Sequence, residues 1–265
     1  MHLKRVIIAL ILIPLFYLYV TKLPSLYFLL FLIIVGAAAQ YEFYLMYKVK
    51  RLLRYAGIIF GTLILCFAYF KLFSFMSLLA FLIIIIAGIR LFSKKNPASA
   101  LNDIAAPIIG VIYIPLLLSY QLHLRVQDSE WIIFLYGCVW LSDSMAYYVG
   151  RSIGKKKLYF EISPNKTIAG AVGAALGGAI GAVIVKTIFM NSINLPLTSM
   201  VVLGFVIGSI TVVGDLVESM FKRDAGVKDS SNILPGHGGV LDKLDSLLFA
   251  GPALYWLSFS FSLIR

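Results

Sequence analysis

The segment from Ser199 to Glu218 reads SMVVLGFVIGSITVVGDLVE, and no charged residue occurs in it before Asp215. An α-helix needs roughly 20 residues, most of them apolar, to cross the hydrocarbon core of a bilayer, which is about 30 Å thick. This segment therefore predicts a transmembrane helix that carries two carboxylates near one end. Working outward from it, the same apolar pattern recurs along the chain.

Apolar residues dominate the whole chain of 265 residues, of which 61% are hydrophobic and only 13% are charged. A soluble domain has about 25% charged residues, so this composition excludes an ordinary globular protein. We predict an all-α integral membrane protein with about nine transmembrane helices. They are expected near residues 5–21, 24–47, 54–71, 74–93, 103–122, 131–149, 167–189, 199–218 and 246–263. The first segment has the basic start and apolar core of a signal peptide, but a second apolar run follows at once, so we interpret it as a retained helix.

The Lys and Arg residues are distributed unevenly between the two ends of these segments. If the N-terminus is cytoplasmic, eighteen of the 23 fall in cytoplasmic segments and four fall outside, with Lys186 near an outer helix end. Positive charge near membrane spans accumulates on the cytoplasmic side. This asymmetry predicts a cytoplasmic N-terminus and a C-terminus outside. It also accounts for the net charge of +11 without a nucleic-acid partner.

No polar stretch is long enough to form a soluble domain, so the chain is expected to be one membrane domain. We divide it into N-terminal transmembrane helices, residues 1–130, and a C-terminal transmembrane catalytic region, residues 131–265. Two long polar connections, residues 150–166 and 219–245, both lie in the second part and on the predicted cytoplasmic side. Long loops often carry functional residues, so the chemistry is expected there.

Acidic residues are concentrated where these connections meet the helices. Six of the twelve lie between residues 215 and 245, and Asp143 lies inside the sixth predicted helix. A carboxylate at membrane depth is costly and marks a candidate functional site, although an ion pair between helices is the alternative. The predicted topology brings five such carboxylates to the cytoplasmic ends of the sixth, eighth and ninth helices. These candidate metal ligands, which suit a hard cation such as Mg²⁺, are Asp143, Asp215, Glu218, Asp242 and Asp245.

Basic residues are interleaved with these acids. Lys222, Arg223 and Lys228 follow the eighth helix, and Arg151 and Lys166 belong to the other long connection. Carboxylates and cations around a metal are typical of phosphoryl or nucleotidyl transfer, because charge on the phosphates must be neutralised. For residues 155–157 we favour a solvated basic loop that binds anionic lipid headgroups.

Two short motifs are candidates for phosphate contacts. Residues 234–239 read LPGHGG, a flexible turn whose N–H groups could approach phosphate oxygens; His237 could be a ligand, a phosphate donor or a turn residue. Residues 163–167 read SPNKT and precede the seventh helix, where they could cap its N-terminus or bind an anion. The glycines that follow indicate close helix packing, and they are Gly170, Gly173, Gly177, Gly178 and Gly181.

The order and spacing of these residues resemble the signature of the CDP-diacylglycerol synthases, or phosphatidate cytidylyltransferases. That signature reads S-x-x-K-R-x4-K-D, then P-x-H-G-G, then D-R-x-D, and it corresponds to residues 219–245. Lys243 stands where the family usually has arginine, which keeps the charge but not the bidentate geometry. Residues 143–154, 163–167 and 214–219 are similar to three further family motifs. The resemblance covers roughly residues 131–250, and the first 130 residues match only as apolar spans.

The resemblance implies an enzyme of phospholipid biosynthesis that condenses CTP with phosphatidic acid to give CDP-diacylglycerol and pyrophosphate. It implies Mg²⁺ as cofactor, leaves a second metal ion open, and suggests a homodimer. The protein is expected in the plasma (inner) membrane with its active site facing the cytoplasm. The expected catalytic residues are Asp215, Asp242, Lys222, Arg223, Lys228 and His237, and Asp215 and Asp242 are expected to hold metal with Asp245 assisting. The expected substrate-binding residues are Arg151, Ser163, Asn165, Lys166, Thr167, Ser219, Asp229, Gly238, Gly239 and Lys243.

Three other functions compete with this interpretation. A CDP-alcohol phosphotransferase also uses carboxylates and metal in a membrane, but its motif D-G-x2-A-R-x8-G-x3-D-x3-D is absent from the sequence. A lipid kinase of the polyprenol type, or a cytidylyltransferase for another lipid phosphate, shares the chemistry and stays open. An ion-coupled transporter predicts a site at the midplane and repeated halves, and no convincing internal repeat is seen.

Overall fold

The structure is a computed structural model that describes residues 13–72, 75–231, 233 and 238–263. Helices make up most of it, and residues 13–22 form the described part of helix α1. The helices that follow in the first half are α2 (Ser25–Met46), α3 (Arg51–Phe70), α4 (Phe75–Ser93), α5 (Ala100–Val111) and α6 (Leu117–Gln127). Those of the second half are α7 (Ser129–Ile153), α8 (Ile168–Phe189), α9 (Leu197–Asp224) and α10 (Leu241–Leu263).

Seven helices in the described part of the chain are long and apolar enough to cross a membrane. They are α2, α3, α4, the continuous run of α5 and α6, α7, α8 and α9. Each coincides with a predicted segment, so the prediction of a multi-pass helical membrane protein is confirmed at these seven. The first predicted segment, residues 5–21, lies largely outside the described residues. Residues 246–263 belong to α10, which has 23 residues but is not one of the seven.

Helices α7, α8 and α9 pack closely because glycine replaces side chains at their contacts. On one side of α8, a Cβ atom at Gly177 would lie 2.6 Å from the Leu141 carbonyl oxygen of α7. On the other side, a Cβ atom at Gly178 would lie 2.8 Å from the Cα of Gly208 in α9. Such distances leave no room for a side chain, so the prediction that the glycines of α8 serve helix packing is confirmed.

A buried polar network around Tyr44 joins the helices of the first half. The Tyr44 hydroxyl donates to the Pro107 carbonyl at 2.9 Å, and the Gln40 side-chain amide donates to the Tyr44 hydroxyl at 3.1 Å and to the Gly57 carbonyl at 3.2 Å. These contacts connect α2 with α3 and α5. Buried polar groups that all find partners fix which helix faces meet.

Helices α5 and α6 form one span that is interrupted by a π-helical turn, Ile112–Leu116. Pro115 in this turn has no N–H to donate to the Val111 carbonyl, so the regular α-helical hydrogen bond cannot form there. The turn carries Tyr113, whose buried ring lies 5.0 Å from the ring of Phe221 in α9. The first half of the chain thereby contacts the helix that carries the predicted acids.

The connection between α7 and α8 differs from the loop that was predicted. It contains two antiparallel strands, β1 (Lys157–Tyr159) and β2 (Ser163–Thr167), in which Lys157 pairs with Thr167 and Tyr159 with Ser163. Pairing lets the backbone polar groups of this surface segment bond to each other. The all-α prediction therefore omitted a small β-hairpin. Residues 155–157 are exposed as predicted, but Lys157 belongs to the first strand.

Candidate active site

Three carboxylates meet where α9 lies beside α10. Asp215 and Glu218 are one turn apart on α9, Asp245 is in the first turns of α10, and one oxygen of each lies within 4.8 Å of the others. The helices approach closely at this point because Gly214 has no side chain, and a Cβ atom there would lie 2.6 Å from the Asp245 carbonyl oxygen. We call Asp215, Glu218 and Asp245 the carboxylate cluster.

Two lysine ammonium groups contact this region. Lys222 Nζ lies 2.5 Å from Glu218 Oε2 and 2.6 Å from Asp242 Oδ1, and Lys166 Nζ, from β2, lies 2.6 Å from Asp215 Oδ2. The side chains of Lys222 and Glu218 are 12% and 1% exposed, so water screens their attraction little. The hairpin, α9 and α10 are thus joined by ion pairs at one place.

Asp242 lies beside the cluster and is bound at both of its oxygens. Besides Lys222 at Oδ1, its Oδ2 accepts hydrogen bonds from the Ser230 N–H (3.1 Å), the Ser230 hydroxyl (2.8 Å) and the Gly239 N–H (2.7 Å). Burial raises the pKa of the Asp242 carboxyl, but the Lys222 ammonium and the hydrogen bonds from Gly239 and Ser230 outweigh burial and hold this pKa well below its ordinary range. Asp242 therefore stays ionised near neutral pH and anchors the connection before α10. It was predicted as a metal ligand, and it lies outside the three converging carboxylates.

The two glycines of the predicted phosphate-binding turn have separate structural roles. Gly238 has φ +80°, in the left-handed region that favours glycine. Gly239 donates its N–H to Asp242, so that amide is engaged within the protein. His237 and the other residues of this motif before Gly238 lie outside the described residues.

Arg223, predicted to bind phosphate, connects the surrounding loops. Its Nε donates to the Ile162 carbonyl at 3.2 Å, in the turn of the hairpin, and its Nη1 donates to the Val227 carbonyl at 3.0 Å. These bonds fasten the hairpin to the end of α9. Arg151, from the other connection, donates to the Tyr147 hydroxyl one turn earlier in α7, at 2.8 Å.

Asp143 brings a fourth carboxylate close to the cluster from α7. Its Oδ1 lies 3.5 Å from the hydroxyl of Ser246, the residue that follows Asp245. Asp143 is therefore a neighbour of the three converging carboxylates and is not one of them.

The remaining predicted substrate-binding residues surround these groups. Thr167 caps α8, because its hydroxyl oxygen accepts the Gly170 N–H at 3.1 Å, which was one of the predicted roles of this motif. Ser163 pairs with Tyr159 in the hairpin, and Ser219 is buried in α9. The residues that remain exposed are Asn165, Lys228, Asp229 and Lys243.

A buried glutamate that the sequence analysis did not select contacts the same region. Glu42 in α2 is 0% exposed and accepts four hydrogen bonds from residues between Ser230 and Leu241. The signal was present in the sequence, because a carboxylate inside a predicted span is a functional candidate.

Tyr47, just after α2, makes a second contact between the two halves of the chain. Its hydroxyl donates to Asp224 Oδ2 at 2.9 Å and lies 3.3 Å from the Phe221 carbonyl oxygen. Burial and the neighbouring Asp224 carboxylate raise the pKa of the Tyr47 hydroxyl above its ordinary value, so it stays protonated and can donate. The end of α9 is therefore held from the first half of the chain.

Several known proteins are similar in sequence to this chain. The family model described as "Cytidylyltransferase family" matches residues 3–261. The chain belongs to the cytidylyltransferase family. Among its relatives, the phosphatidate cytidylyltransferase of Bacillus subtilis is 35% identical over 261 residues, which cover 94% of this chain and 93% of that protein. The match to this cytidylyltransferase family therefore includes the first 130 residues, which resembled it only as apolar spans.

Two further relatives match over a shorter region. The phosphatidate cytidylyltransferase of Staphylococcus saprophyticus is 40% identical over 163 residues, which cover 61% of each chain. The phosphatidate cytidylyltransferase of Haemophilus influenzae is 38% identical over 176 residues, which cover 63% of this chain and 60% of that protein.

The carboxylate cluster fits the divalent metal that the resemblance implies. Carboxylate oxygens are the ligands that hard cations prefer, and three residues offer them within 4.8 Å of each other. Glu218 Oε1 is buried and has no hydrogen-bond donor among the described residues, whereas Oε2 pairs with the Lys222 ammonium at 2.5 Å. A buried carboxylate in that state can accept a metal ion.

Proposed function

We propose that this chain is a phosphatidate cytidylyltransferase, which condenses CTP with phosphatidic acid and releases pyrophosphate. Membership of the cytidylyltransferase family supports this, and so does the name shared by the relatives described above. The signature motifs of residues 143–167 and 214–245 provide the residues that surround the carboxylate cluster.

One observation carries the proposal: carboxylates and ammonium groups from three elements converge at one end of α9. The cluster supplies oxygens for a cation, and Lys222 and Lys166 lie within 2.6 Å of its members. A nucleoside triphosphate bound with a metal ion needs both kinds of partner, because its phosphates carry several negative charges. A site that bound only a cation would not require the lysines.

The reaction forms one bond and breaks one bond. A non-bridging oxygen of the phosphatidate phosphate bonds to the α-phosphorus of CTP, and the bond from that phosphorus to the α,β-bridging oxygen breaks. Pyrophosphate leaves with the electron pair. The attacking phosphate is already ionised near neutral pH, so positioning and charge neutralisation supply most of the rate without a strong base.

The residues of the chain orient the two phosphates in this proposal. Lys222 and Lys166 contact phosphate oxygens, and we assign to the exposed Lys228 and Lys243 the binding of the lipid phosphate or the triphosphate. Asp242 keeps the connection before α10 in place through Ser230 and Gly239.

Mg²⁺ is the cation that we propose for the carboxylate cluster. Bound there, it would neutralise charge on the phosphates. Asp143, another predicted ligand, lies beside the cluster and is the residue that we propose for a second ion. Both oxygens of Asp242, the remaining predicted ligand, are already bound by Lys222, Ser230 and Gly239.

We further propose the topology and setting of the enzyme. Nine transmembrane helices with a cytoplasmic N-terminus and an external C-terminus place the cluster at the cytoplasmic face of the plasma membrane, and the charge asymmetry supports this orientation. Phosphatidic acid can then enter sideways from the inner leaflet. A homodimer is the proposed assembly.

A labelled-nucleotide assay tests the proposed reaction. Purified protein in detergent is incubated with Mg²⁺ and radiolabelled CTP, and with phosphatidic acid, polyprenyl phosphate or no lipid. We expect lipid-soluble label and pyrophosphate in equal amounts with phosphatidic acid only, and neither product with Asp245→Asn. Product formed with polyprenyl phosphate but not with several phosphatidic acids would overturn the proposed substrate.

A further inference from the structure

Glu42 is an acidic residue at a buried position, where a charge is energetically unfavourable. It belongs to α2, one of the apolar helices, and its side chain is 0% exposed. Burying a carboxylate without partners costs so much free energy that such a residue persists only where strong donors surround it. The hydrogen-bond donors around Glu42 therefore indicate its role in the protein.

Four donors bind the Glu42 carboxylate, and they come from the two ends of one connection. Oε1 accepts the Ser231 hydroxyl at 2.6 Å and the Val240 N–H at 2.9 Å. Oε2 accepts the Leu241 N–H at 2.8 Å, and it lies 3.2 Å from the Ser230 hydroxyl, whose single proton it shares with Asp242 Oδ2. Each oxygen thus contacts one serine near the start of the connection, after α9, and one backbone amide at its end, where α10 begins.

The backbone amides bound by Glu42 belong to the start of α10. Leu241 is the first residue of that helix, and the first N–H groups of a helix have no partner within it. A carboxylate at this end also interacts favourably with the helix dipole. Glu42 therefore caps α10 from a different helix of the protein.

A continuous series of contacts leads from Glu42 to the carboxylate cluster. The Ser230 hydroxyl lies between Glu42 and Asp242, and Asp242 binds Lys222, which contacts Glu218. Gly239 packs against these residues without room for a side chain, since a Cβ atom there would lie 2.5 Å from Glu42 Oε2. The connection that carries half of the signature motif is thus fastened to α2.

We propose that Glu42 is a positioning residue that holds the described ends of this connection, residues 228–231 and 238–241, in their binding-competent arrangement and so sets the affinity for CTP. It acts through the connection and touches neither substrate. A connection that is ordered only part of the time lowers apparent affinity by the ordered fraction. The inference rests on the proposed function for its kinetic readout, and its structural readout is independent of any activity.

Glu42→Gln is the direct test because it preserves the shape of the side chain. In either orientation the amide NH₂ faces the N–H of Val240 or of Leu241, so one backbone donor loses its acceptor. We expect KM for CTP to rise about tenfold, the effect of one lost buried hydrogen bond, while kcat changes by less than about threefold. Ser231→Ala removes a single hydrogen bond to Oε1. It should raise KM for CTP, and speed the hydrogen exchange described below, by less than Glu42→Gln does.

Hydrogen exchange of the amides at residues 239–241 is the readout that a loss of global stability would not imitate. We expect faster exchange at these amides in Glu42→Gln and unchanged exchange in α7 and α8. Glu130→Gln is the matched control, because Glu130 accepts the N–H groups of Asn191, Ser192 and Ile193 in the connection before α9. It should loosen that connection and leave KM for CTP unchanged.

The outcomes separate the inference from the proposed function. If the unmodified protein converts no CTP but Glu42→Gln still loosens residues 239–241, the proposed function fails and the fastening role stands. Wild-type KM together with wild-type exchange in Glu42→Gln would overturn the inference, and so would an equal rise in KM in Glu130→Gln. If Glu42→Gln does not fold, Ser231→Ala decides by the same two measurements.

Discussion

Lys222 supplies the positive charge that is paired with two carboxylates of the site. Its ammonium contacts Glu218 and Asp242 at 2.5 and 2.6 Å, and all three side chains are at most 12% exposed. Removing one member of a buried ion pair leaves a charge with neither water nor a partner, which costs more than the pair contributes when intact. The stability of the site and the chemistry that we propose for it therefore depend on the same side chain.

Lys222→Met is expected to lower the free energy of unfolding by about 3–5 kcal/mol, because two buried carboxylates lose their ammonium partner. Thermal melting in detergent measures this loss. Adding Glu218→Gln to Lys222→Met removes one of the stranded charges and should recover part of the stability. A double variant that melts no higher than the single one would contradict the account.

Gly239→Ala is expected to reduce turnover of CTP at least tenfold, since the added Cβ meets Glu42 and Ser230 and overpacking costs about 1–3 kcal/mol. Gly88→Ala is the control, because nothing lies within 4 Å of a Cβ atom at that position in α4. It should keep its activity and gain up to about 1 kcal/mol of helix stability. Equal activity of the two variants would show that the contacts of Gly239 are unimportant.

Residue spacing in the sequence was enough to find part of the site and could not find the rest. Asp215 and Glu218 share a helix face by their spacing, and the predicted topology brings Asp245 to them, so all three are among the five predicted metal ligands. The partners of Asp242 depend on the path of the preceding connection, which no periodicity reports. Glu42 contacts residues 188 to 199 positions away, a relation that only the folded chain reveals.

At the scale of elements, helix α8 joins the second half of the molecule by presenting glycines on two sides. Its contacts with α7 and α9 bring backbone against backbone, and packing of this kind replaces the hydrophobic effect between helices in lipid. The small-residue pattern in the sequence predicted this packing. The hairpin was missed because its strands have three and five residues, too few for an alternating pattern to stand out.

Gly178→Val is expected to prevent the close approach of α8 and α9 and to lower the melting temperature by several degrees, because the new side chain meets the backbone of Gly204 and Gly208. Gly88→Val makes the same change in α4, where the space is open, and should melt close to the unmodified protein. Equal losses in the two variants would mean that valine is poorly tolerated in these helices generally.

At the scale of the whole molecule, the distribution of charge determines the proposed orientation. The apolar segments predicted seven helices that the structure confirms. Neither these segments nor the fold shows which end of a helix faces the cytoplasm, so the proposed orientation rests on the asymmetry of Lys and Arg. A chain turned the other way would present the carboxylate cluster away from the cytoplasmic CTP pool.

Cysteine labelling tests this orientation in intact cells. In a background with Cys66→Ala and Cys138→Ala, we expect a membrane-impermeant maleimide to label Asn194→Cys directly and Lys95→Cys only after permeabilisation. Both positions are exposed and lie in connections at opposite ends of the helices. Direct labelling of Lys95→Cys with protection of Asn194→Cys would reverse the topology.

If cytidylyl transfer takes place at the carboxylate cluster, as we propose, turnover must depend on how tightly the cluster holds Mg²⁺. CDP-diacylglycerol formation is measured over a range of Mg²⁺ concentrations for the unmodified protein, Asp245→Asn and Glu161→Gln. Glu161 is an exposed carboxylate in the turn of the hairpin, outside the cluster. The account predicts that Asp245→Asn needs at least tenfold more Mg²⁺ or shows no turnover, whereas Glu161→Gln follows the unmodified protein. An unchanged Mg²⁺ dependence and rate in Asp245→Asn would contradict it.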